Sequence, residues 1–153
     1  MRDRRRHFRE ALGFAWDGFR YVWRTQGNMR IHAGFGVMVI ALARWLGFDA
    51  VRLAVVMLTV GAVIGAEWLN TAIERAVDLV TTRPHPLARL AKDLAAGAVL
   101  WFGLVAVVVG VLLFGPYLPD LPALIARSSP GRLAEVGAML AVGLALVFTG
   151  IRR

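Results

Sequence analysis

Apolar positions in this chain fall into blocks separated by short polar stretches, and the blocks differ in period. In residues 2–30, Phe8, Leu12, Ala15, Phe19 and Val22 recur at spacings of 4, 3, 4 and 3, with Trp16 and Trp23 beside them. Arg9, Asp17, Arg20 and Arg24 fall mostly on other faces. That pattern predicts an amphipathic helix suited to lying in the headgroup plane of a membrane. The later blocks are apolar almost throughout, which predicts membrane-spanning helices.

The first span is expected over residues 31–48, with Arg44 near its outer end, where a long side chain can reach the interface. A very short outer turn, Phe48-Asp49-Ala50-Val51-Arg52, leads into a second helix over residues 53–81. At 1.5 Å per residue that helix is roughly 42 Å long against a hydrocarbon core of ~30 Å, so its last turns enter the cytoplasmic interface. Pro84 and Pro86 then break it. A third helix is expected over residues 87–115, and its last 22 residues, 94–115, carry no charge. Residues 116–132 read as an outer loop rich in proline. Residues 133–151 read as a shorter fourth span ending on Arg152-Arg153, within a 133–153 unit of extra helix and tail. The expectation is therefore one domain with a core over residues 1–115, and no internal repeat is visible.

Composition fits a membrane protein. The chain has 153 residues, 58% of them apolar, above the roughly 45–50% of a soluble domain. It has no cysteine, which excludes disulfides and thiolate metal sites. A formal net charge of +8 could suggest nucleic acid, but its distribution argues for membrane orientation. Eight arginines lie in residues 1–32, four basic residues in 75–92 and two at 152–153. Basic residues gathered between alternate spans place both chain ends in the cytoplasm of a multi-pass inner-membrane protein, with no nucleic-acid partner. Arg4-Arg5-Arg6-His7-Phe8 faintly resembles a twin-arginine export signal, but no continuous apolar segment or cleavage site follows it.

The chemistry gathers at the inner end of the second helix. At about 100° per residue, Glu67, Asn70, Glu74 and Asp78 fall within an arc of roughly 80°, so three acids and an amide share one stripe. A charge in hydrocarbon costs about 2.5–3.5 kcal/mol even on the lenient insertion scale, so such a row is either used or sealed against partners. The hairpin of the second and third helices brings Lys92 and Asp93 to the same side. Lys92 is the only lysine among 18 basic residues, which suggests that a compact ammonium is wanted there. Acids with an amide and a lysine suit phosphoryl transfer: carboxylates hold Mg²⁺ or take the proton from an attacking hydroxyl, and an ammonium steadies the phosphoryl group. The chain has no phosphate-binding GxxxxGK[ST] loop and no HRD motif, so a soluble kinase class is excluded.

The pattern Glu67-x-x-Asn70-Thr71-Ala72-Ile73-Glu74-x-x-x-Asp78, followed by His85-Pro86-x-Ala88-x-x-Ala91-Lys92-Asp93-x-Ala95-Ala96-x-Ala98-Val99, resembles the prokaryotic diacylglycerol kinase and undecaprenol kinase family. Asn28-Met29-Arg30-Ile31-His32 resembles it too, and the likeness covers roughly residues 8–115. The resemblance implies an all-α membrane protein of the diacylglycerol kinase type: a surface helix and a three-helix core, here with an additional C-terminal transmembrane helix. It implies a homotrimer with active sites between protomers, and Mg²⁺-dependent transfer of the ATP γ-phosphoryl group to a lipid alcohol. By the same resemblance Glu67 is the general base and Glu74 a metal-binding carboxylate. Asn70, Lys92 and Asp93 form the surrounding polar set, and Asp78, His85, Lys92 and Asp93 lie on the nucleotide side. Gln26 stands where the family has a second metal-binding Glu, and its neutral amide oxygen is a weaker Mg²⁺ ligand. The segments around His85 and Asn28 look more like the undecaprenol-phosphorylating branch than the diacylglycerol branch.

Blander readings compete with each of these. The acids could be a structural seam pairing with Arg75 and Lys92. His32 and His85 could be helix-end residues, Trp16, Trp23 and Trp45 interface anchors, Glu135 a solvated residue, and Thr71 bonded to its own backbone. A transporter or proton relay is the alternative of another class. It needs polar groups through the outer half of the membrane, and residues 53–66 and 94–115 supply almost none.

Overall fold

The computed structural model describes the backbone of residues 2–152 and the side chains of residues 7–152. The expectations placed on the Arg4–Arg6 side chains and on Arg153 lie outside those residues. Six α-helices follow in order: α1 (Arg2–Thr25), α2 (Gly27–Trp45), α3 (Ala50–Val80), α4 (Pro86–Phe114), α5 (Leu121–Arg127) and α6 (Pro130–Ile151), with a 3-10 turn at Gly115–Tyr117. The described residues contain no strand. The helices Ala50–Val80, Pro86–Tyr117 and Pro130–Ile151 are long and apolar enough to cross a membrane.

Local chemistry explains where the helices start and stop. The expected surface unit of residues 2–30 is shorter, because Gln26 is extended (φ −104°, ψ 112°) and separates α1 from α2. The helix expected as the first span over residues 31–48 forms instead as Gly27–Trp45, and it is not among the three helices named above as long and apolar enough to cross a membrane. It stops early because Gly47 takes a left-handed φ of 73°, and the Phe48 amide donates back to the Ala43 carbonyl at 3.0 Å, a Schellman-type ending. α3 begins at Ala50 because the Asp49 side chain accepts from the Arg52 amide at 2.9 Å, satisfying one of the orphan donors of the first turn. His85 Nδ1 does the same for α4 by accepting from the Leu87 amide at 3.2 Å, and Pro86 follows as the first helical residue. Residues 116–132 are not wholly loop, since α5 forms within them.

The helices pack as antiparallel neighbours, with α2 between α3 and α6. α2 and α6 touch through glycines. A Cβ at Gly34 would lie 2.5 Å from the Gly143 carbonyl oxygen, and one at Gly27 would lie 2.5 Å from that of Gly150. Any side chain at these crossings would force the helices apart. At the other end of the seam Arg132 donates to the Trp45 carbonyl at 2.6 Å, and Trp45 Nε1 donates to Ser128 Oγ at 3.1 Å. α2 also meets α3 closely, where Gly36 faces Val60. Enclosure on both sides is why α2 tolerates its buried glycines and Arg30. α4 packs on α3 but shows the rest of its apolar surface, including Leu100, Trp101, Val107 and Leu112, to its surroundings.

Candidate active site

The stripe inferred on the second helix exists, and its inner part is the most enclosed polar group of the protein. Glu67 is 2% exposed, Asn70 8% and Thr71 2%. Thr71 Oγ1 donates to the Glu67 carbonyl at 3.0 Å, so it bonds its own helix, as the bland reading had it. One turn further on, Asn70 Nδ2 donates to Glu74 Oε1 at 3.2 Å. That bond turns the amide so that Asn70 Oδ1 is buried with no partner among the described residues. A buried acceptor left unpaired costs about 1–3 kcal/mol, so this oxygen is set up to receive a donor or a cation.

The outer part of the stripe behaves differently. Lys92 Nζ lies 2.6 Å from Asp78 Oδ1, and Arg75 lies 3.5 Å from the other Asp78 oxygen. Asp78 is therefore the residue for which the seam reading holds. Asp93, one position along α4 from Lys92 and so about 100° around it, points elsewhere. It pairs loosely with Arg89 at 3.6 Å, with its side chain 65% exposed. His85 is exposed and caps α4 through Nδ1. Gln26 sits half-buried at the α1–α2 break, and no hydrogen bond joins it to Glu74. The chain thus brings together Glu67, Asn70 and Glu74 on one stripe with the Asp78–Lys92 pair further along it, and among the described residues no hydrogen bond or ion pair joins Asp93, His85 or Gln26 to them.

The helix α1 covers this end of α3. Phe19 packs edge-on against Trp68 with ring centroids 5.8 Å apart. The Arg75 guanidinium lies over the Tyr21 ring at 6.0 Å. Trp68 and Arg75 each sit about 100° around α3 from the acid that precedes them, so α1 docks on the flank beside the acidic stripe. Sequence periodicity gave α1 its apolar face but not this docking; the aromatic spacing Trp16, Phe19, Trp23 was the available signal, and those rings stack along the helix.

About one turn before Glu67, at Val63, an apolar slot begins. Val63, Val60 and Val56 precede Glu67 at the helical spacing that keeps them on the Glu67 face. With Gly36 and Val39 of α2 and α4 residues from Gly103 to Phe114 they enclose a cavity of about 630 Å³. His32 and Thr59 are its only polar lining side chains.

No three or more His, Cys, Asp or Glu residues gather at one point among the described residues. Mg²⁺ does not require that, since it usually takes one or two carboxylates, keeps waters and shares substrate phosphates. Glu74 with the unpartnered Asn70 oxygen beside it is a donor set of that kind, so the residues fit the ion.

The fold and site define a multi-helix membrane protein with a cluster of acids and a lysine at one end of its helices and an apolar slot beside them. Comparison with known proteins makes the family definite. The family model described as prokaryotic diacylglycerol kinase matches residues 13–114. The chain is similar to a diacylglycerol kinase of Synechocystis, 47% identical over 112 residues, covering 72% of this chain and 64% of that protein. It is similar to the undecaprenol kinase of Bacillus subtilis at 38% identity, covering 65% of this chain and 83% of that one. It also resembles the diacylglycerol kinase of Escherichia coli K12 at 33% identity, covering 68% and 85%. The chain belongs to the prokaryotic diacylglycerol kinase family, a family of membrane lipid kinases. It spans just under two thirds of the length of the Synechocystis relative, and α6 lies beyond the matched region.

Proposed function

We propose that this protein transfers the γ-phosphoryl group of ATP to the hydroxyl of a membrane lipid alcohol, with undecaprenol as the acceptor and Mg²⁺ as cofactor. The observation that carries the reading is the buried Glu67, enclosed with Asn70 and Thr71 at one end of an apolar helix whose preceding valines line a slot. The choice of undecaprenol rests on the segments around His85 and Asn28, which resemble the undecaprenol-phosphorylating branch. The relatives named above include both kinds of kinase. A transporter or proton relay is the weaker reading, because the slot offers only His32 and Thr59 as polar steps.

In this mechanism Glu67 accepts the hydroxyl proton as the oxygen attacks the γ-phosphorus. Its burial and the closely packed α3–α4 wall keep water from competing for the phosphoryl group. Asn70 holds Glu74 in place through its amide. Lys92, steadied by Asp78, supplies positive charge at the edge of the cluster to the phosphate oxygens. Glu74 and the Asn70 oxygen, with Gln26 as a weaker ligand, would hold Mg²⁺, which when bound neutralises charge on the nucleotide phosphates. Asp93 is exposed, as is the outer face of α4, and both suit a homotrimer in which a neighbouring protomer uses Asp93 and His85 at the nucleotide. ATP would then arrive from the cytoplasm at the arginine-rich ends of α1 and α3, across the inner membrane from the Tyr117 end. The test is a label-transfer assay with purified protein in lipid nanodiscs, offering undecaprenol and diacylglycerol in separate reactions. Label on undecaprenol supports the proposal; label on diacylglycerol alone overturns the choice of acceptor.

A further inference from the structure

The C-terminal helix α6 lies outside the family match, yet its end sits at the break that seats α1. Arg30, in the second turn of α2, is only 6% exposed. Its Nη1 donates to the Trp23 carbonyl at 2.6 Å. That carbonyl is among the last four of α1, which have no partner inside their own helix. Its Nη2 is buried with no hydrogen-bond partner among the described residues. A Cβ placed on Gly27 would stand 3.9 Å from that Nη2 and 2.5 Å from the Gly150 carbonyl oxygen. The negative end of α1 is therefore held by an enclosed guanidinium, where positive charge is favoured, and the end of α6 packs on Gly27 at the same elbow. Gly150 is locked into the same corner: a Cβ there would lie 2.5 Å from Ile31 and 2.7 Å from the Gly27 carbonyl oxygen.

We infer that α6 is a positioning element for the reaction: through Gly150 against Gly27, next to the Arg30–Trp23 tie, it fixes the elbow at Gln26 and so holds α1 on the Trp68–Arg75 flank of the acid-bearing end of α3. The inference rests on the proposed kinase activity for its kinetic consequence, but its geometric part stands apart from it. The elbow is a single extended residue, and without a brace α1 would pivot there. A pivot would separate Phe19 from Trp68 and Tyr21 from Arg75, uncovering the side from which the nucleotide arrives.

The experiment uses the full chain in nanodiscs. The sequence has no cysteine, so spin labels at Gly18→Cys on α1 and Gly97→Cys on α4 are unique, and a Cβ at either position meets nothing within 4 Å. The test variants are Gly150→Leu and Arg30→Met; the control is Gly137→Leu, on α6 at a site where a Cβ also meets nothing within 4 Å. The expected result is a narrow label distance distribution in the parent and in Gly137→Leu, and a broad one in both test variants. KM for Mg-ATP is expected to rise about tenfold in the test variants with kcat within about twofold, the split that separates misplacement from loss of folded protein. Arg30→Lys, which keeps the charge, should recover most of the KM. Unchanged distances and unchanged KM in Gly150→Leu and Arg30→Met overturn the inference, as does a fall in kcat with KM unmoved. Should the parent label no lipid alcohol, the kinase proposal fails, and the distance distributions alone decide whether α6 braces the elbow.

Discussion

Lys92 Nζ stands 2.6 Å from Asp78 Oδ1, so the only lysine of the chain ties α4 to α3 at the rim of the acidic cluster. Both side chains are more than a third exposed, and a pair of that kind contributes at most about 1 kcal/mol to stability. Its importance is placement: Asp78 holds the ammonium one turn beyond Glu74 along α3.

Substituting Lys92 should therefore affect turnover far more than folding. Lys92→Met is expected to lower kcat by about 10²–10³-fold, the scale of losing one charge-stabilising donor, while thermal unfolding in detergent shifts little. Asp78→Asn should cost much less, because the lysine remains. Equal losses in the two variants, read by initial rates on the same lipid, would argue that the pair acts only as a structural tie.

The Gln26 position offers a test by gain. Gln26→Glu supplies a carboxylate at the α1–α2 elbow, and carboxylates are the preferred Mg²⁺ ligands. The expected outcome is half-maximal rate at a lower Mg²⁺ concentration, measured by titrating the metal at fixed ATP. An unchanged Mg²⁺ dependence would place residue 26 outside the metal's reach.

The α2–α6 seam should be intolerant of added volume. Gly34→Leu puts a side chain where a Cβ already lies 2.5 Å from the Gly143 carbonyl oxygen and 2.9 Å from Val147. The expected loss is at least about 1–3 kcal/mol, the usual cost of overpacking, read from denaturant unfolding in bicelles. Gly61→Leu on α3, where a Cβ meets nothing within 4 Å, should cost little by the same measurement.

Much of this architecture was legible in the sequence where the cause is local. The Glu67, Asn70, Glu74 stripe follows from helical periodicity alone, and the structure places all three on one buried face. The break before α4 follows from Pro84 and Pro86. What depends on partner choice was not legible. Gly27 and Gly34 share a seven-residue step with Gly143 and Gly150, but nothing in either helix says that these two stripes meet. Asp93 enters the expected site through the hairpin and the family resemblance, and its direction is not legible there, because one step along a helix turns a side chain by about 100°. The elbow at Gln26 is not legible either, because no proline or turn motif marks it.

The central claim is that Glu67 serves as the base for a lipid hydroxyl. The most direct measurement is transfer of label from γ-labelled Mg-ATP to undecaprenol by the purified chain and by Glu67→Gln, each shown to be folded and equally assembled. The account predicts labelled lipid from the parent and a rate lower by about 10²–10⁴-fold from the variant, the usual range for a positioned base. Equal labelling by the two proteins, or no labelled lipid alcohol from the parent, would contradict it.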